Sequence, residues 1–290
     1  MSGLYIHSAS AFIGAADADA NLLKEELRRY ARENFRRVNR FILLALLGAR
    51  KCIHERSLAA DTAVYLTTEH GNLGETAIVL DEIYAAHALP KPFSFINTMS
   101  NTAAFYLAQN LGTRGRNITA SSQRLSFERG IDLMAADFAA GAERSALIGG
   151  VDVASLSGTG GEDRDDRGWR MVDGSGWFYV LPGREGACGA FQENRSFRDG
   201  AACLKWLRDL GKTPTDMVAF GASIGADEAA RWREALRPAA VFDYLGDYGY
   251  CGSAPACGIA MFLKNFRKRT LLHINRDPRG TYALLEVKAF

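Results

Sequence analysis

The sequence is short of the residues on which most side-chain chemistry depends. Histidine occurs five times in 290 residues, and none lies between His87 and His273. A site needing two imidazoles from the C-terminal half cannot be built from it. The five cysteines, Cys52, Cys188, Cys203, Cys251 and Cys257, include no CxxC pair, and their number is odd. That argues against a disulfide framework and points to a reducing, cytoplasmic compartment. Cys251 and Cys257 have no histidine beside them, so no zinc site is expected, nor any other metal or cofactor.

An excess of one charge is missing too. Lys and Arg total 35 against 33 Asp and Glu, a net charge of +2, too little to favour nucleic acid or an anionic membrane. The longest apolar run is Phe41–Leu47, far short of the roughly 20 residues that span a bilayer, and reads as a core helix. The first residues lack the basic, apolar and small-residue succession of a signal peptide.

What is present is 48% hydrophobic sequence, enough for a sizeable core. The stretch Asn117–Phe127 organises it. A strand enters this polar elbow. An amphipathic helix leaves it, with Phe127, Ile131, Met134 and Phe138 on one face, and Ala146–Gly150 follows as a buried strand. Enzymes place nucleophiles at such elbows because a helix N-terminus stabilises a developing anion.

Along the chain, strands are expected at Leu4–Ile13, Thr62–Thr68, Met217–Ser223, Val241–Tyr244, Thr270–Ile274 and Tyr282–Val287. Met171–Leu181 reads as strand, glycine turn and strand. Helices are expected over 21–34, 41–52, 71–87, 103–111, 201–210, 227–236 and up to Phe266. Ser155–Gly168 is a Gly-, Ser- and Asp-rich loop, and its Glu162–Arg167 segment reads as a solvated turn. The βαβα succession occurs twice, about 1–154 and 170–290, within one α/β domain spanning 1–290.

Five segments in this order resemble the β-ketoacyl synthase family of the thiolase fold. They are Arg36–Phe41, Pro92–Ala103, Leu111–Thr119, Ala140–Asp152 and Asp173–Gly176. The resemblance implies a layered α-β-α-β-α fold with two pseudo-repeated halves, trimmed in the second. It also implies decarboxylative condensation by a cysteine assisted by two histidines and a lysine, on chains delivered by an acyl carrier protein. In this sequence the corresponding positions are degenerate. Counting from either flank sets Arg124 against the cysteine, with Ser121, Ser122 or Gln123 if the elbow slips. Phe220 and Tyr250 stand against the histidines and Leu245 against the lysine.

No catalytic residue is therefore expected. Family members without the cysteine are chain-length-factor-like subunits that pair with an active synthase, and short ones resemble those of aryl polyene systems. By that resemblance Phe93, Phe95, Asn97, Phe105, Ile118, Ala120 and Ser122 belong to the pairing interface. Tyr106 joins the aromatic patch, although these aromatics would equally suit the monomer's core. Alternative readings are an acyltransferase or thioesterase-like enzyme using Ser121, Ser122 or Cys251, and a fatty-acyl binding module. Arg124 is expected to pair with an acid such as Asp152 or Glu128. The basic cluster Lys264, Arg267, Lys268 and Arg269 suits a helix C-terminus or an acidic carrier protein.

Overall fold

Side-chain alternation along the strands decides which face each residue buries, and here it sorts the chain into layers. A computed structural model describes residues 3–16, 19–31, 38–54, 56–154, 168–211 and 215–290. Arg36, Arg37 and Glu162–Arg167 lie outside the described residues.

The first set of elements is β1 (Tyr5–Ala15), α1 (Ala20–Arg28), α2 (Arg40–Cys52), β2 (Ala63–Thr67), α3 (Leu73–Tyr84), α4 (Pro92–Asn97), α5 (Asn101–Leu111), β3 (Asn117–Ala120), α6 (Ser126–Ala139), β4 (Ala146–Asp152) and β5 (Val172–Leu181). The second set is β6 (Gly189–Phe197), α7 (Gly200–Asp209), β7 (Met217–Phe220), α8 (Ala226–Leu236), β8 (Ala240–Val241), α9 (Tyr244–Tyr248), α10 (Ala254–Asn265), β9 (Thr270–Arg276) and β10 (Tyr282–Ala289).

The strands lie in the order β3-β2-β4-β5-β1-β6-β10-β9-β7-β8. Counted within each set, both halves run 3-2-4-5-1, laid edge to edge. In both, the fifth strand is antiparallel to its two neighbours, and the second strand is parallel to the third and the fourth. Only Tyr5↔Ala190 and Ile6↔Gly189 join the halves between β1 and β6.

On one face of the first sheet, Val64, Leu66, Leu147, Val151 and Trp177 pack with α1, α2 and α5. On the other, Tyr65, Ile148, Phe178 and Val180 meet α6 and α10, which also cover Leu271, Leu285 and Val287 of the second sheet. The far face of the second sheet, with Leu272, Ile274 and Leu284, packs under α7 and α8. The result is five layers, α-β-α-β-α.

Three expectations change. Val172–Leu181 is one continuous strand, not two flanking a turn. Its glycines serve packing: a Cβ on Gly176 would lie 2.6 Å from the α10 backbone at Ala256 and Cys257. Asp173 within it pairs with Arg40 at 2.6 Å. β6, absent from the sequence reading, fills the position beside β10. Val241–Tyr244, expected as a strand, gives instead the end of β8 at Val241 and the start of α9 at Tyr244.

Candidate functional site

β3 ends at Ala120 and α6 begins at Ser126, and the residues between make the elbow. Its backbone is tight. Leu125 N donates to Ser122 O at 3.1 Å and Ser126 N to Gln123 O at 3.2 Å. Ser126 Oγ accepts from Ser122 N at 2.9 Å and donates to Gln123 O at 2.5 Å. Gln123 takes φ +50°, a left-handed conformation that costs a non-glycine residue of order 1 kcal/mol or more. This strained, exposed residue is the apex of the elbow, one position before Arg124.

Arg124 turns inward. Its Nη1 donates to Ser223 Oγ at 2.7 Å, and its Nε lies 3.8 Å from Glu69 Oε1. Its acidic partner is thus Glu69, not Asp152 or Glu128. Those two are committed elsewhere. Asp152 is fully buried and accepts from Thr68 Oγ1, from the amides of Glu69 and His70, and from Ser253 Oγ, at 2.5 to 3.0 Å. The Tyr250 hydroxyl donates to Glu69 Oε2 at 3.3 Å. Burial pushes the Glu69 and Asp152 carboxyls up and raises the Tyr250 phenol. Glu69, Arg124, Tyr244, Tyr250 and Asn275 line a cavity of only about 10 Å³. That is room for roughly one water.

Below the elbow, alternation along β9 points His273 and Asn275 toward α6. Asn275 Nδ2 donates to Arg124 O at 2.8 Å and to Glu128 Oε1 at 2.9 Å. Glu128 Oε1 lies 3.6 Å from His273 Nδ1, and His273 Nε2 is 3.0 Å from the Tyr244 hydroxyl. Glu128 Oε2 and His273 Nδ1 are buried without a hydrogen-bond partner. Burial lifts Glu128 to about 7 and depresses His273 to about 3. Between about pH 3 and 7 both groups are therefore neutral.

No protein-family model and no curated protein sequence matches the chain. Solved structures do. The ishigamide ketosynthase/chain length factor superposes with a TM-score of 0.76 at 19% identity, over 100% of both chains. A type II polyketide ketosynthase in complex with its acyl-carrier protein gives 0.74 at 11%, over 100% of both. The 3-oxoacyl-[acyl-carrier-protein] synthase III of Aquifex aeolicus gives 0.64 at 15%, over 99% of this chain and 100% of the other. The chain has the thiolase-like ketosynthase fold.

Within this ketosynthase fold the four degenerate positions do not converge. Arg124 and Tyr250 meet through Glu69. Phe220, half-buried at the end of β7, packs with the outer cluster under α7 and α8. Leu245 is buried in α9 and faces the central layer. Ser121 and Ser122 are exposed, and Ser121 Oγ donates to Glu69 O at 3.2 Å. Cys251 is buried, and its hydrogen bond to Cys257, together with burial, raises its thiol well above the ordinary range. Arg267 Nη1 donates to Leu263 O and Phe266 O at the end of α10, so this member of the basic cluster caps a helix. Among the described residues no group of three or more His, Cys, Asp or Glu is placed to hold a metal ion. No helix among them is long and apolar enough to cross a membrane.

The aromatics named for pairing divide. Phe93, Phe95 and Phe105 are exposed, Phe105 by 60%. Tyr106 instead packs partly on the core, edge-on to Phe105. Asn97 is buried, Ile118 and Ala120 are half-buried, and Ser122 is exposed. The exposed three are part of a larger face. Among the described residues, eleven of the fifteen large apolar side chains left exposed lie between Leu73 and Phe105, in α3, α4, α5 and their connections. α3 packs on α4, Thr102 Oγ1 ties α5 to Ile96 O, and Asn117 Nδ2 ties β3 to α5 at Ala104 O. The face therefore adjoins β3, the outermost strand of the sheet.

Four residues of the site were not singled out from sequence: Glu69, Ser223, Tyr244 and Asn275. Glu69 is the first charged residue after an apolar strand, and Asn275 directly follows another. Both are signals that sequence reading can use.

Proposed function

We propose that this chain is a non-catalytic, chain-length-factor-like subunit that pairs with an active β-ketoacyl synthase. The observation that carries the reading is the apolar face from Leu73 to Phe105 beside the open edge of β3. Patches of that extent on a soluble chain mark a partner surface, and an exposed sheet edge offers its backbone groups to a second chain.

The site supports the same reading. The elbow apex carries the Gln123 amide in place of a thiolate, and the space behind it is filled by Arg124, Glu69 and Tyr250. His273 is buried, neutral and turned to Glu128 and Tyr244, and the His70 ring stands 3.8 Å from the buried Asp152 carboxylate. The partner then supplies the cysteine and histidines and receives acyl chains from an acyl carrier protein. This chain stabilises it and helps bound its acyl tunnel, within a cytoplasmic pathway making polyene-type chains.

Co-expression with a cysteine-bearing ketosynthase encoded beside it tests the proposal. The expected result is a one-to-one complex by light scattering, with condensation dependent on both chains. A stable homodimer that leaves the synthase unbound would end it.

A further inference from the structure

α7 and α8 both pack on the outer cluster of the second sheet, through Leu207, Trp232 and Leu236. Between them lies an open groove of about 610 Å³, within the range of small-molecule sites. Leu204 and Arg208, one turn apart, reach it from α7. Arg231, Glu234 and Ala235 share the facing stripe of α8, and Arg237 stands at that helix's end. The lining therefore carries three guanidiniums against one carboxylate. Among the described residues none of the three arginines makes a side-chain hydrogen bond or an ion pair, and all three are exposed. Even Arg231 and Glu234, one turn apart, do not pair. Arg124, Arg267 and Arg276, by contrast, each hold their guanidinium against the fold.

Arg237 occupies a strained position. It ends α8 with φ +48° and ψ 53°, its amide bonded to Arg233 O at 2.9 Å. Helices favour glycine there, because a Cβ crowds the left-handed conformation. Cations offset the dipole at a helix C-terminus, but Arg233 already stands in the last turn of α8 for that role. Arg231 lies outside that turn, where the dipole effect has faded. The two helix ends, each worth about half a negative charge, and Glu234 oppose an anion. Three guanidiniums outweigh them. One phosphate takes one or two guanidinium forks, so three forks spread over two helices suit a ligand with two phosphates. Glu234 between them repels a further anion and accepts from a hydroxyl.

We infer that the groove between α7 and α8 binds a small polyol bisphosphate, its phosphates on Arg208, Arg231 and Arg237 and a hydroxyl on Glu234. The groove lies on the outer face of the second sheet and the pairing face beside β3 in the first. The two share no residue, so failure of this inference would leave the pairing proposal standing.

Calorimetric titration of the full chain with fructose 1,6-bisphosphate at constant ionic strength tests it, with fructose and inorganic sulfate as comparison ligands. The bisphosphate is expected to bind, and fructose and sulfate not to. Arg231→Gln should weaken binding at least about tenfold with the circular dichroism spectrum unchanged. Arg237→Gly removes the guanidinium and the strain together, so binding should weaken at least about tenfold while the unfolding midpoint stays at or above that of wild type. Arg233→Gln, on α8 outside the groove, and Arg279→Gln, in the β9–β10 turn, should leave affinity as it was. Absence of binding to the wild-type chain, equal binding of sulfate or fructose, or equal weakening by Arg233→Gln or Arg279→Gln would overturn the inference. So would Arg237→Gly with a lowered midpoint and unchanged binding.

Discussion

The carboxamide of Asn275 ties the elbow to a buried acid, donating to Arg124 O at 2.8 Å and to Glu128 Oε1 at 2.9 Å. That acid faces His273, and the two titrate in opposite senses. Glu128 rises from 4.5 to about 7, so between those values the folded chain keeps a proton that the unfolded chain has lost. Its contribution to stability falls as pH rises through that window. His273 falls from 6.5 to about 3, so below 6.5 the unfolded chain gains a proton that the folded one refuses. Its contribution falls as pH drops, and between roughly pH 4.5 and 6.5 the two slopes oppose.

Glu128→Gln leaves only the histidine slope. Stability of the variant should climb with pH across that window, where the wild-type chain changes less. Above pH 7 the variant should be the more stable, by on the order of 3 kcal/mol. Urea unfolding across this range checks it. A variant whose profile matches wild type would show that Glu128 is ionised in the fold.

Gln123→Cys puts a thiol at the elbow apex. Release of carbon dioxide from a malonyl thioester should nevertheless stay at background, because Arg124, Glu69 and Tyr250 occupy the space behind the apex and the buried His273 is committed to Glu128 and Tyr244. Measurable condensation by this variant alone would refute the non-catalytic reading.

Phe95→Asp and Phe105→Asp change side chains that are 59% and 60% exposed. Thermal stability should therefore hold to within about 0.5 kcal/mol. Capture of the ketosynthase partner should drop at least tenfold, the loss of roughly 1.4 kcal/mol or more expected for a buried aromatic anchor. Loss of stability with capture intact would return these rings to the monomer's core.

Gly176→Ala forces a methyl to within 2.6 Å of the α10 backbone. Since the obstacle is main chain, the helix must shift, at a cost of about 1–3 kcal/mol or more. Gly183→Ala meets nothing within 4 Å and serves as the neutral comparison. The two unfolding midpoints decide it.

The layered fold was legible because it depends on periodicity. The apolar run in α2 and the β-branched run in β2 declare themselves, and both bury as expected. β6 did not, because its outer half, Gln192–Phe197, is polar and only Gly189–Phe191 is buried. The glycines of β5 read as a turn because their role, letting α10 approach, belongs to another element. At the elbow, spacing set Arg124 at the key position, whereas the strained backbone sits at Gln123, a distinction of one residue that spacing cannot make. Hydrophobicity likewise could not say whether Phe93, Phe95 and Phe105 lie inside or out, since an interface and a core use the same side chains.

The two ends of the sheet are unlike. β3 is flanked by the apolar face, whereas β8, at the far end, is two exposed residues, Ala240 and Val241. A chain with two equally receptive margins could add copies head to tail without limit. Here one margin is blunt, so under the proposed pairing through β3 the far end of the sheet offers no comparable strand template for adding further copies.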